Sequence, residues 1–105
     1  MFEFRGPEPV TMPDLSAFQA LLGEAFEIRF SDAIVRLSLA EANAIDASGR
    51  SGARDPFSLI FHGSDGVMLQ GQTYLLHHHV TGDLPIFITP VGRLEGETVY
   101  QAVFN

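Results

Sequence analysis

Hydrophobic and polar residues alternate with a period of two in several short stretches after residue 24. The stretches AFEIRF and IVRLSL begin this pattern and are separated by the turn residues SDA. A period of two places successive side chains on opposite faces of a strand, so each stretch predicts a strand with one buried face. The residues predicted to point inward are Phe26, Ile28, Phe30, Val35, Leu37 and Leu39.

Later stretches continue this pattern to the C-terminus. PFSLIF, VMLQGQTYLLHHH, LPIFITPV and ETVYQAVF each predict a strand, and Gly71 predicts a break or bulge in the second of them. Between IVRLSL and PFSLIF, the stretch EANAIDASGRSGARD is rich in Gly, Ser and Ala and predicts a mobile loop over about residues 42–55. Pro85 and Pro90 cannot donate to a β-ladder, so their strand is predicted to lie at an edge or to carry a bulge.

The stretch TMPDLSAFQALLG predicts a short helix over about residues 12–22, ahead of the strands. Thr11 suits its N-cap, and Gly23 suits the left-handed conformation that ends it. Its apolar face consists of Leu15, Phe18 and Leu22. A helix of about three turns is unstable alone, so we expect this face to pack on other elements.

These elements predict a mainly β fold. About six or seven short antiparallel strands with one N-terminal helix are typical of a small barrel or sandwich whose open end the helix plugs. The chain of 105 residues has the size of a single domain, which is predicted to span residues 1–105.

Composition and charge narrow the classes of function. The formal net charge of −7 repels phosphate backbones, so neither nucleic acid nor an anionic membrane is expected as a partner. The sequence contains no Lys and no Cys, which removes Schiff-base lysines, disulfides, thiolate nucleophiles and cysteine-ligated zinc. No long apolar segment or signal-peptide pattern is present, so a soluble, cytoplasmic protein is expected.

Three consecutive histidines are the most conspicuous candidates for chemistry. His77 and His79 would share one face of a strand, roughly 6.6 Å apart along it, which is close enough for both to bind one metal ion. The spacing from Gly71 through these two histidines to Asp83 resembles the first metal motif of the cupins, small β-barrels that often hold iron, manganese or zinc. The cupin motif has Glu where this chain has Asp83, and no histidine follows His79. His62 lies upstream and is the remaining candidate for a further ligand.

The same alternation has a simpler interpretation. If Tyr74, Leu76 and His78 form the buried face, then His77 and His79 face solvent, and His78 is a partly buried histidine with a hydrogen-bond partner. We favour this interpretation, under which no metal and no cofactor is expected. No nucleophile, base and oxyanion donor can be named together either, so no catalytic residue is assigned.

Two of the strands are apolar on both faces. Leu84, Ile86 and Ile88 fill one face of LPIFITPV and leave Phe87 on the other, and TVYQAVF shows the same property. Such strands are expected to be covered on both sides, either by another layer of the same chain or by another subunit. For a small protein, two-fold self-association is the commonest form of the second arrangement.

The segments DPFSLIFHG, QTYLLHHH and GDLPIFITPVGRLEGETVYQAVFN resemble an uncharacterised family of small bacterial β-domain proteins. Its hallmarks are a PFSLxF segment and a C-terminal YxAVFN, and its recurring histidine corresponds to His78. The resemblance implies a compact domain without assigned catalytic residues, associated with phage-tail-like or collar-type assemblies. We therefore expect a non-enzymatic protein-binding or assembly domain that self-associates. The alternative is a cupin-like metal-dependent enzyme or sensor using His77, His79, Asp83 and His62.

Overall fold

The computed structural model describes residues 12–45, 56–64 and 66–104. This part of the chain forms one helix and six strands, which are α1 (Leu15–Gln19), β1 (Ala25–Arg29), β2 (Ile34–Ala44), β3 (Phe57–Ser64), β4 (Gln72–His78), β5 (Gly82–Leu94) and β6 (Glu97–Phe104). The strands close into an antiparallel barrel in the order β1-β2-β3-β6-β5-β4. The predicted mainly β fold with a short N-terminal helix is confirmed, and it is a barrel.

Two three-stranded meanders, β1-β2-β3 and β4-β5-β6, build the barrel. The β3–β6 ladder is the longest contact between them and runs from Phe57↔Phe104 to Ser64↔Glu97. Because β3 and β4 lie on opposite sides of the six-stranded ring, the connection between them crosses one end of the barrel. We call its described part, residues 66–71, the crossover segment, and this end of the barrel the crossover end.

The barrel interior is filled by the hydrophobic residues that the alternation predicts to point inward. Phe26, Leu37 and Leu39 have no exposed surface, and the rings of Phe26 and Phe61 meet edge to face at 5.7 Å. The prediction that Phe30 points into the core is wrong, because β1 ends at Arg29 and the chain turns there, which leaves Phe30 42% exposed.

A bulge changes the alternation within β2. The register with β3 shifts after Leu39, so Ala40 is the extra residue of the bulge. Beyond the bulge, the side chain of Ala42 points into the core. The strand therefore runs further than predicted. Of the predicted loop over residues 42–55, the first three residues belong to β2, and residues 46–55 lie outside the described part of the chain.

The two prolines of β5 lie where its ladders are interrupted. The closed order places β5 between β6 and β4, so it is not an edge strand as a whole. The ladder with β6 shifts between Pro90 and Gly92, which is the predicted bulge. Pro85 pairs with Leu75 of β4. On its other side it has no paired residue, because the ladder with β6 begins only at Thr89. Each proline thus lacks an N–H where one neighbouring ladder is interrupted or absent.

Helix α1 is shorter than the predicted span of residues 12–22. Its N-cap is Asp14, whose carboxylate accepts a hydrogen bond from the backbone N–H of Ala17 at 3.0 Å. The predicted cap, Thr11, lies outside the described residues. Gly23 has a φ of +87°, which confirms the left-handed conformation expected near the end of the helix.

Helix α1 closes the end of the barrel opposite the crossover end. The ring of Phe18 is fully buried and lies 5.9 Å from that of Phe57 and 5.8 Å from that of Phe104. Leu22, predicted on the same face, is 45% exposed, because the helix ends before reaching it. Within the described residues, no helix is both long and apolar enough to span a bilayer.

Candidate functional site

The middle histidine of the three completes a buried row on β4. Tyr74, Leu76 and His78 point inward, and His78 is only 3% exposed. Its Nδ1 accepts the backbone N–H of Val80 at 3.0 Å, so the ring proton is on Nε2, which donates to a carboxylate oxygen of Glu24 at 2.6 Å. His78 is therefore buried and hydrogen-bonded, as the alternation predicts.

The flanking histidines occupy different environments. His77 projects from the outer face of β4 and lies directly opposite Asp83 on β5, with 2.7 Å between Nδ1 and the carboxylate. His79 follows the last residue of β4, and its ring stacks on that of His78 with 4.4 Å between the centroids. Two of the predicted metal candidates, His77 and Asp83, are therefore hydrogen-bonded to each other.

A cleft of about 230 Å³ lies between β1 and β4, where the barrel closes. It is lined by Ala25, Glu27, Arg29, His77, His78 and His79. The Glu27 carboxylate accepts hydrogen bonds from Arg36 at 3.1 Å and from Arg29 at 3.4 Å. The hydrogen bond from Arg36, assisted by the one from Arg29, lowers the pKa of the Glu27 carboxyl. Among the described residues lining the cleft, none carries a hydroxyl or thiol nucleophile.

The four metal candidates do not converge. His62 lies on β3 and faces Glu97 on β6, with 3.2 Å between Nδ1 and the carboxylate, whereas His77 and His79 are at the end of β4. In the part of the chain that the structure describes, no three His, Asp or Glu side chains are placed to hold one metal ion. The geometry offers separate pairs of histidine and carboxylate.

The outer surface of β4, β5 and β6 carries a group of hydrophobic side chains that we call the outer patch. Its members are Leu75, Pro85, Phe87 and Val103. Leu75 pairs with Pro85, and Val103 is exposed on β6, the strand next to β5. Phe87 is 58% exposed and Leu75 57%. Helix α1 packs at the end of the barrel, so it does not cover this face.

The sequence analysis took residues 67–70 as part of a strand broken or bulged at Gly71, whereas they lie in the crossover segment and β4 begins only after Gly71, at Gln72. Leu69 is buried and its N–H donates to the hydroxyl of Tyr100 at 3.0 Å, while the hydroxyl of Tyr74 donates to the carbonyl of Gln70 at 2.8 Å. The signal that could have found it is the pair Gly66 and Gly71, which bracket residues that do not alternate.

Comparison with known families gives one match. A family model described as a domain of unknown function, DUF6916, matches residues 13–104. No curated protein and no solved structure matches the chain. The comparisons therefore carry no activity over to this chain, and its function has to be argued from the geometry.

Proposed function

The chain belongs to the DUF6916 family of domains of unknown function, and from its geometry we propose that it is a non-enzymatic protein-binding domain. It acts as an assembly or accessory component and self-associates through the outer patch. The observation that carries this proposal is the exposure of Leu75, Phe87 and Val103 on a barrel whose interior is already filled.

The outer patch supports association because the fold of the single chain buries its side chains only in part. Burying a Leu or Phe side chain fully is worth about 1.5–3 kcal/mol, and more than half of the surface of Leu75 and Phe87 is still in water. In a two-fold symmetric dimer, the same patch of both chains lies in the interface, so each residue of the patch contributes one buried side chain from each copy. Several such residues on three adjacent strands form the kind of surface that a second copy can cover.

The net charge opposes association of two copies. At −7 per chain, two copies repel each other, and salt screens this repulsion. The four residues of the outer patch are uncharged, so the contact itself does not require ion pairs. Self-association through the patch is therefore expected to strengthen as salt is added, unlike an interface held together by charge pairs.

The absence of an assigned activity leaves the class of assembly open. The phage-tail-like setting implied by the family resemblance stays a prediction, as does the cupin-like alternative.

Sedimentation velocity and light scattering over a wide concentration range test the proposal. The wild-type chain is expected to form dimers, and Phe87→Ser is expected to weaken dimerisation by about tenfold or more, as for a residue central to an interface. The matched control is Ile34→Ser, which removes an equally exposed hydrophobic side chain, 56% against 58%, outside the outer patch. This control is expected to dimerise like the wild type.

Two results would contradict self-association through this surface. One is a wild-type chain that stays monomeric at high concentration and in high salt. The other is an equal loss of dimer in both variants, which would mean that general surface hydrophobicity, rather than the outer patch, drives association.

A further inference from the structure

Strand β1 is held unequally on its two sides. Five residue pairs join it to β2, whereas among the described residues a single pair, Glu27↔His77, joins it to β4. The cleft of about 230 Å³ follows the same boundary, which we call the seam. Backbone pairing alone therefore does not explain how the barrel stays closed between β1 and β4.

A hydrogen bond closes the seam at the end near α1. Glu24 directly precedes β1, and its carboxylate accepts the Nε2–H of His78, the last residue of β4, at 2.6 Å. The backbone of Glu24 is fixed independently, because its N–H donates to the carbonyl of Leu21 and its carbonyl accepts the N–H of Leu39 on β2, both at 3.0 Å. Glu24 thus joins the end of β4 to β2 across the start of β1.

An aromatic contact closes the seam at the crossover end. Phe30 follows the last residue of β1, and its ring meets that of Tyr74 on β4 edge to face, with 6.3 Å between the centroids. Tyr74 is buried, and its hydroxyl donates to the carbonyl of Gln70 at 2.8 Å, which fixes the position of its ring. Phe30 lies outside the core but still holds the end of β1 against β4.

A similar polar contact lies on two strands whose backbones are fully paired. His62 of β3 and Glu97 of β6 have 3.2 Å between Nδ1 and the carboxylate. Eight residue pairs join these strands, so their ladder is closed without this contact. At the seam the relation is reversed, because the backbone supplies one pair and side chains supply the contact at each end.

We propose that the seam is a conformational gate that two side-chain contacts hold shut, the Glu24–His78 hydrogen bond at one end and the Phe30–Tyr74 contact at the other. When both contacts break, β1 leaves β4 while its five pairs with β2 stay formed. Opening exposes the facing backbone edges of β1 and β4. The gate uses no residue of the outer patch, so it does not depend on self-association.

Native-state hydrogen exchange of variants tests which contacts hold the gate. Removing a contact that breaks on opening speeds exchange of the seam amides, which are those of β1 and β4 that face each other. Removing a contact that survives opening does not, even where it lowers the global stability. Glu24→Ala is expected to speed this exchange by about tenfold or more, as for a hydrogen bond to a charged group. Phe30→Ala is expected to speed it by about two- to tenfold, as for an aromatic pair.

Two matched controls remove the same kinds of side chain elsewhere. Glu97→Ala removes the carboxylate that meets His62, and Phe87→Ala removes a Phe that is 58% exposed, against 42% for Phe30. Both are expected to leave the exchange of the seam amides unchanged within roughly twofold. The measurements are made at concentrations too low for self-association, and amide spectra verify that each variant is folded.

A reversible cross-link tests the gate without removing either end contact. The double variant Glu27→Cys/His77→Cys places two cysteines at the paired position of the seam, and the chain contains no other cysteine. Directly paired residues of antiparallel strands lie close enough for a disulfide. In the reduced form, the seam amides are expected to exchange faster than those of the β3–β6 ladder. Oxidation is expected to remove this difference, because β1 can then leave β4 only with global unfolding.

Three results would overturn the gate. Unchanged exchange of the seam amides in Glu24→Ala and Phe30→Ala would show that neither contact holds the seam shut. Equal acceleration by the two controls would show a general loss of stability in place of a gate. A difference between seam and ladder amides that persists in the oxidised double variant would show that the seam amides exchange without separation of β1 from β4.

Discussion

At the scale of single residues, three identical neighbours have three different environments. Because side chains alternate along β4, His77 points outward and His78 points inward. His79 follows the end of the strand, so it belongs to neither face of the sheet. The inward position of His78 follows from the sequence. Its partner, Glu24, lies 54 residues away and is brought to it only by the closing of the barrel.

Replacing the buried histidine tests the importance of its two hydrogen bonds. His78→Phe keeps an aromatic ring but leaves the N–H of Val80 and the carboxylate of Glu24 without their partner. We expect the free energy of unfolding to fall by about 1–3 kcal/mol, as measured by urea denaturation. His79→Phe is the control, and because this residue is exposed we expect a change within about 0.5 kcal/mol. Similar losses in the two variants would show that the bonds of His78 contribute little.

At the scale of elements, the β5–β6 hairpin combines regular pairing with an unfavourable turn. Arg93↔Thr98 and Leu94↔Glu97 pair directly, so Glu95 and Gly96 form a two-residue turn, and both have positive φ. Gly96 adopts positive φ freely, whereas Glu95 does not. The strain at Glu95 could not be found from the sequence, because the backbone conformation of a turn residue is not visible in composition.

Relieving this strain is expected to stabilise the hairpin. Asn tolerates the left-handed conformation, so Glu95→Asn is expected to raise the free energy of unfolding by about 0.5–1 kcal/mol in urea or thermal denaturation. Glu41→Asn, on the extended strand β2, is the control and is expected to give no gain. A loss of stability would mean that the Glu95 side chain makes a compensating contact.

At the scale of the whole molecule, the barrel is unevenly closed. The ladder between β3 and β6 has eight paired positions, whereas β1 and β4 meet at the single pair Glu27↔His77. The cleft of about 230 Å³ lies along this weakly paired boundary. The barrel is therefore expected to open first between β1 and β4, while the β3–β6 ladder opens only with global unfolding.

Native-state hydrogen exchange measures this difference. Amides of β1 and β4 that face each other are expected to exchange at least about tenfold faster than those in the middle of the β3–β6 ladder. Amides of β1 that face β2 serve as an internal control, because five pairs hold that side. Uniform protection on both sides of β1 would show that side-chain packing closes the barrel as firmly as backbone pairing does.

Alternation along the chain determined the strands, the inward side chains and the hydrophobic character of both faces of β5, because the direction of a side chain on a strand is a local property. The inward position of His78 followed in the same way, and the left-handed conformation of Gly23 followed from the place of a glycine after a helix. Local patterns failed where a strand ended or bulged, at Phe30 and at Ala40, because register depends on the neighbouring strand.

Tertiary structure alone decided which distant segments meet. The order of the strands round the barrel brings β1 to β4, carries the crossover segment over one end and leaves the outer patch uncovered by α1. These features rest on long-range pairing, whose energy depends on the closed ring as a whole. The hydrophobic residues of the outer patch can therefore be read from the sequence. Only the closed barrel shows that they lie on neighbouring strands and face outward.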